Sequence, residues 1–301
     1  MSNIEKFIVK NDEEQPKNVL LIDGGNLFMR CLFSVPYDPL DPTYIAYKTT
    51  LFMSIKKTLK QFRPDKVIFC LEGRSNWRKQ IYSEYKKQRR DIRDKSVIDF
   101  DSFFMENGKL IEDLIKVVKN IQFLQVDNCE ADDLIGVIVK NKSNWKIINQ
   151  SSDSDFYQLF KYPNYNQWNA KKKQFAQVLN PESYLTEKII LGDVSDNIPR
   201  LSALKFRQGP KYVQKNVLTD LNKWIIENNM EKEWARNQTL ISFDAIPTTL
   251  SETIMKNVNE WKPEALDERG LYYLFNDHKL FGLISDITEF VNIFKNIKSK
   301  D

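Results

Sequence analysis

Nine carboxylates in this chain recur at spacings that suit metal chemistry: Asp23, Glu72, Glu130, Asp132, Asp133, Asp153, Asp155, Asp193 and Asp196. Glu130 and Asp133 stand three apart in a stretch with helical periodicity and so share a face, with Asp132 beside them. Asp153 and Asp155 are two apart in an extended stretch and point to one side. Asp193 and Asp196 repeat the spacing of three. Like charges brought together at that density fold only with cations among them. No histidine or cysteine pair accompanies them, and hard oxygen ligands select Mg²⁺ or Mn²⁺ over zinc. The chemistry of such a site is two-metal phosphoryl transfer.

A phosphate backbone would have to be carried to those metals, and the chain has a segment suited to it. Lys and Arg total 45 against 41 Asp and Glu, a net charge of only +4. If the nine acids bind metal in one pocket, the remainder carries +13. The excess is concentrated between Arg74 and Lys95, where nine basic residues face three acids. Trp77-Arg78-Lys79 and Tyr85-Lys86-Lys87-Gln88-Arg89-Arg90 interleave aromatics with cations, a pattern suited to unstacked bases and their phosphates. A charge run is commonly just a solvated helix face. Here it leaves directly from the strand that ends at Glu72 and must overhang the acids.

Those side chains need a scaffold that delivers them to one place. Val19-Leu20-Leu21-Ile22, Val67-Ile68-Phe69-Cys70-Leu71, Phe123-Leu124-Gln125-Val126 and Trp145-Lys146-Ile147-Ile148-Asn149 read as short buried strands. Between them lie helical patterns at Tyr44 to Phe62 and Asp101 to Lys119, and from Glu130 onward. Trp168 to Val178 reads as a hairpin with Lys171-Lys172-Lys173 at its turn, within reach of backbone phosphate, and Pro181 to Leu191 as a helix. This alternation predicts an α/β fold with a mainly parallel central sheet flanked by helices, whose ligands bind at the carboxyl ends of the strands. The acids fall at those ends. A catalytic domain at 1–190, with a basic arch-like segment at 74–100, and a helical region at 191–301 are expected.

Other chemistries lack their parts. One histidine, three cysteines without a CxxC pair and nine glycines without a GxxxxGK[ST] or GxGxxG run leave no zinc module, disulfide framework, P-loop or dinucleotide site. No apolar run approaches the roughly 18 residues of a membrane span, and the first 18 residues read as no signal peptide. A cytoplasmic protein with no membrane partner is expected.

The residues quoted so far, together with GDVSDNIP at Gly192 to Pro199, resemble the 5′-nuclease (flap endonuclease) superfamily, in the same order along the chain. SSDSDFYQLFKYPNYNQW from Ser151 and LISFDAIP from Leu240 resemble its bacteriophage ribonuclease H branch. The resemblance implies that Asp23, Glu72, Glu130, Asp132 and Asp133 surround a first Mg²⁺, and Asp153, Asp155, Asp193 and Asp196 a second, with Mn²⁺ able to substitute. It implies that Arg78 and Lys86 reach the scissile phosphate and that Trp77, Tyr85, Lys87, Arg89 and Arg90 contact the strand. It further implies a divergent helix-hairpin-helix near Arg200 to Lys211 that grips duplex phosphate through Gly209 and Lys211. The implied activity is a 5′→3′ exonuclease and flap endonuclease acting, as a monomer, on DNA and RNA–DNA hybrids with a 5′ end or flap. RNA-primer removal beside a phage single-strand-binding protein goes with it. Glu72 stands where the family usually has aspartate. A PIN-type ribonuclease would use a similar acidic site in a shorter chain, and a non-catalytic nucleic-acid-binding protein would have no use for nine clustered acids.

Overall fold

The computed structural model describes residues 18–205 and 207–297. The N-terminal stretch read as lacking a signal peptide lies, but for its last residue, outside the described residues. Six strands form one sheet: β1 (Asn18–Asp23), β2 (Lys66–Leu71), β3 (Gln122–Gln125), β4 (Lys146–Gln150), β5 (Tyr165–Asn169) and β6 (Gln174–Phe175). Their order is β3-β2-β1-β4-β5-β6. The first five are parallel, and β6 closes the hairpin antiparallel to β5. The order reverses between β1 and β4, so connections leave in opposite directions there and open a crevice beyond the carboxyl ends. Asp23 is the last residue of β1, and Ser151 follows the last residue of β4.

Alternation along β1 divides the core into two layers. Leu20 and Ile22 pack with the helices Gly24–Leu32, Ile45–Phe62 and Phe100–Val117. Val19 and Leu21 pack on the other face with the helix Ala131–Asn141. Cys31, Cys70 and Cys129 are free thiols buried in these layers. Among the described residues no helix is long and apolar enough to cross a membrane.

The division expected at residue 190 differs from the packing. Residues from about Ile190 to Met230 form a small cluster around Leu201, Leu204, Val213 and Val217, and another joins Tyr85 and Ile189 to Ile198, Leu240 and Ile241 across that boundary. After it the chain returns to the sheet: Ile254 and Val258 of the helix Thr248–Glu260 join the Leu21 layer, and Leu271, Phe275, Phe290 and Phe294 join the Leu20 layer. The reason is burial. The first layer's helices leave an apolar face that only the late helices cover. In the segment expected to hold a helix-hairpin-helix, residues 200–205 and 207–209 contain no helix, and one begins only at Pro210 (Pro210–Asn216).

Two glycines set the loops at the site's edge. A Cβ on Gly73 would come within 2.2 Å of the Val126 carbonyl oxygen, so glycine lets the loops after β2 and β3 meet, where Gly73 N donates to Cys129 O at 2.8 Å. Gly192 turns the chain with φ +67° beside Ile198, which pairs with Asp193. Full burial of a large apolar side chain contributes about 1.5–3 kcal/mol, so the four late residues together approach the roughly 5–15 kcal/mol of a whole domain. A chain ending at Glu260 should therefore show no cooperative transition by circular dichroism on heating. A normal melt would mean that the late helices are an accessory.

Candidate metal centre and nucleic-acid cleft

A cleft of about 1910 Å³ opens at the crevice between β1 and β4. Asp23, Glu72, Glu130, Asp132, Asp153, Asp155, Asp193 and Asp196 line it, and Asp133 alone of the nine expected acids does not. Each reaches the cleft from an element end. Asp23 ends β1 and caps the next helix, accepting from Asn26 N at 3.0 Å. Glu72 follows β2. Glu130 and Asp132 begin the helix Ala131–Asn141. Asp153 and Asp155 lie in the loop after β4, and Asp193 and Asp196 bracket the turn after Gly192.

Two groups can be distinguished. Carboxylate oxygens of Asp155, Asp193 and Asp196 lie within 4.8 Å of one another. At an effective dielectric of about 20, two such charges at that separation repel by roughly 3–4 kcal/mol, and three pairs rival the stability of a domain. Positive charge must intervene. In the structure it is the Lys188 ammonium, in contact with Asp155 and 2.8 Å from Asp193 Oδ2. Burial opposes the charge on Asp193, but Lys188 outweighs it and holds that carboxyl down to about 2. Asp23 and Asp132 belong to the second group. Burial pushes both carboxyls up, and for Asp132 the charges of Asp23 and Asp153 push further. Glu72 is exposed on the cleft, with the protein around it limiting the water at its carboxyl. That desolvation, followed by the charge of Glu130, pushes it up to about 7.

Glu130 is the opposite case. Burial works against its charge, but Lys86 and Arg78 prevail and hold it down to about 2. The Lys86 ammonium touches Glu130 Oε1 and lies 3.6 Å from Asp196 Oδ2. Arg89 donates to Asp196 Oδ1 at 2.7 Å. Lys86 also faces the cleft, together with Lys79, Lys87, Arg89, Arg90 and Lys171. Lys87 and Arg90 are exposed, the former paired with Glu84 Oε1 at 2.9 Å. The helix Gln88–Asp94, which carries Arg89 and Arg90, buries no residue at all.

Three residues expected at the substrate or the metal, Arg78, Asp133 and Trp77, are interior and off the cleft lining, and a fourth, Tyr85, is buried but borders the cleft. Arg78 is 2% exposed, donating to Leu240 O at 2.8 Å and lying 2.7 Å from Asp133 Oδ1 and 3.2 Å from Glu130 Oε2. Asp133, fully buried, also accepts from Trp77 Nε1 at 3.1 Å and from Glu130 N at 3.0 Å. Its bonding partners, Arg78, Trp77 Nε1 and Glu130 N, are all donors inside the protein, and it lies off the cleft lining, unlike the other acids expected to bind metal. Trp77 lies under the Arg78 guanidinium, 4.5 Å from ring centroid to Cζ, and cannot stack on a base. The Tyr85 hydroxyl sits 2.8 Å from Glu130 Oε2 and 3.0 Å from Asp196 Oδ2, and burial pushes its pKa up. A guanidinium sunk this deep must meet carboxylates: Asp133 faces it and not the cleft, whereas Glu130 meets both. Gly209 and Lys211 lie at the start of the helix Pro210–Asn216, outside the cleft lining. His278 is buried between Lys48 and Asp113, also off the cleft.

Sequence reasoning missed Lys188, Asn26 and Ser151. Ser151 Oγ donates to Asp23 Oδ2 at 2.8 Å, and Asn26 Nδ2 donates to Ser152 Oγ at 3.0 Å, so the ends of β1 and β4 are stitched together. The serines of Ser151-Ser152-Asp153 were a signal for this. Lys188, five residues before Asp193 on a separate helix, gave none.

A donor set made only of carboxylate oxygens, with ammonium groups already lodged among them, fits divalent metal ions. The model of the 5′-3′ exonuclease N-terminal resolvase-like domain matches residues 18–189, more than half of the chain and all six strands. The chain belongs to the 5′-3′ exonuclease family. It is accordingly a nuclease, and its acidic cluster is consistent with a two-metal reaction. It is 28% identical to the ribonuclease H of Enterobacteria phage T4 over 303 aligned residues, covering 93% of this chain and 98% of that one. It is 25% identical to a 5′-3′ exonuclease of Aquifex aeolicus, over 74% of this chain and 75% of the relative. Its fold resembles that of the bacteriophage T5 flap endonuclease solved with DNA and metal ions, at a TM-score of 0.61 and 18% identity, covering 87% of this chain and all of that one.

Removing one partner of a buried ion pair costs about 3–5 kcal/mol. Arg78→Met should therefore lower the free energy of unfolding in urea by about that much, whereas Lys86→Met should lower it far less. Equal stabilities would show that Arg78 is not the strut described.

Proposed function

We propose that the protein is a Mg²⁺-dependent 5′→3′ exonuclease and flap endonuclease that hydrolyses phosphodiester bonds of RNA–DNA hybrids and duplex DNA. The observation that carries this reading is the convergence of eight carboxylates on one cleft, with a bank of cations above them. Asp23, Glu72, Glu130 and Asp132 would hold one ion, and Asp153, Asp155, Asp193 and Asp196 the other. Mn²⁺ would serve in place of Mg²⁺. When bound, such ions supply a deprotonated water at neutral pH and offset charge on the phosphoryl oxygens.

The chain's own side chains do the rest. Lys86, held between Glu130 and Asp196, is the ammonium nearest the first group that also faces the cleft, and it would donate to the scissile phosphate as charge develops there. Arg89, paired with Asp196, and the exposed Lys87 and Arg90 would hold neighbouring phosphates, releasing counterions as they do so. Gly209 and Lys211 would meet duplex backbone away from the cleft. The 5′ polarity is supported by the family, and the removal of RNA primers in phage DNA replication by the likeness to the phage T4 enzyme. Work as a monomer in a host-cell cytoplasm, beside a phage single-strand-binding protein, belongs to the same reading.

With a 5′-labelled flap and a labelled primer hybrid, cleavage should need Mg²⁺ and stop in EDTA. Asp155→Asn should abolish cutting while leaving flap binding in Ca²⁺ within a few-fold. Lys86→Met should lower kcat by about 10²–10³-fold, the usual loss on removing one donor to a developing oxyanion. Cutting by Asp155→Asn at the unmodified rate, or in EDTA, would contradict the reading.

A further inference from the structure

Gln167, on β5, is 1% exposed and absent from the cleft lining. Its amide nitrogen donates to two carbonyl oxygens of the loop after β4, Ser151 O at 3.1 Å and Asp153 O at 2.6 Å. That loop presents Asp153 and Asp155. Its bonds continue inward: Ser151 Oγ donates to Asp23 Oδ2 at 2.8 Å and accepts from Asp153 N at 3.0 Å, while Asp155 N donates to Asp153 Oδ1 at 2.9 Å. One side chain from a third strand thus fixes the loop on which aspartates from two other strand ends depend. The amide's oxygen is buried with no hydrogen-bond partner among the described residues. Packing alone would favour an apolar side chain at such a place. What the amide contributes is its pair of N–H donors.

We propose that Gln167 is a positioning residue, which sets Asp23, Asp153 and Asp155 for divalent metal through the Ser151 and Asp153 carbonyls without itself touching metal or substrate. The proposal rests on the metal-dependent reading above. Groups that orient ligands from behind in this way are worth about 10–100-fold in metal affinity or activity. A side chain that merely stitched β5 to the loop would alter stability and leave metal affinity alone, which separates the two roles.

The test is calorimetric titration of Mn²⁺ into the full-length protein without nucleic acid, together with the Mg²⁺ concentration that half-saturates flap cleavage. Gln167→Met keeps the length and removes both donors, and Gln167→Glu keeps the shape and sets an acceptor against the two carbonyls. Each is first melted in EDTA. Both variants should bind Mn²⁺ about 10–100-fold more weakly and need correspondingly more Mg²⁺, while flap binding in Ca²⁺ stays unchanged. Unchanged Mn²⁺ affinity in either folded variant overturns the proposal. Failure of both variants to fold in EDTA overturns it as well, since the residue would then act on the fold. No Mn²⁺ binding by the unsubstituted protein would instead sink the metal-dependent reading, and the proposal with it.

Discussion

Repulsion among carboxylates is the constraint that organises this molecule. The sheet order brings the ends of β1 and β4 together and sends the ends of β2 and β3 alongside, so that acids separated by up to 173 positions, from Asp23 to Asp196, line one cleft. At the separations seen for Asp155, Asp193 and Asp196, unrelieved charge would cost as much as the fold is worth. The structure relieves it in two ways. Lys86 and Lys188 place ammonium groups between acids. Burial and the charges of Asp23 and Asp153 also raise the carboxyl of Asp132, which makes its neutral form easier to reach.

The basic segment has two parts with different work. Its beginning is a structural pillar: Trp77, Arg78 and Tyr85 run under the cleft and lock onto Asp133, Glu130 and Asp196. Its end, the helix Gln88–Asp94, buries no residue and is tied to the turn after Gly192 by Gln88, which donates to Val194 O, and Arg89, which donates to Asp196 Oδ1. Lys86 sits at the change from one to the other, with a left-handed backbone at φ +56° that turns its side chain toward Glu130. The pillar fixes where that helix begins, so the cations overhang the carboxylates at a set place.

How legible this was in the sequence varied with the range of the interactions. The apolar runs of β1, β2, β3 and β4 were plain because a strand buried on both faces is written as a continuous stretch. The acids at their tips were equally plain, since topology alone sends those tips to one edge. The partner of a buried charge was not. Arg78 and Asp133 are 55 positions apart, and nothing local distinguishes an arginine aimed at phosphate from one aimed at an aspartate beneath the surface. The placing of Trp77 and Tyr85 was hidden for the same reason: an aromatic between cations suits a stacked base and a core equally well, and Trp77 lies in the core while Tyr85 is buried at the border of the cleft. The return of the last helices to the sheet was hidden because Leu271, Phe275 and Phe290 mark an apolar face without saying which surface covers it.

The measurement that bears most directly on this account is anomalous scattering from crystals of the protein soaked in Mn²⁺. The account predicts one peak among Asp23, Glu72, Glu130 and Asp132 and another among Asp153, Asp155, Asp193 and Asp196, with the Lys188 ammonium displaced from Asp155. A cleft without anomalous density at saturating Mn²⁺, with Lys188 still seated between Asp155 and Asp193, would contradict it.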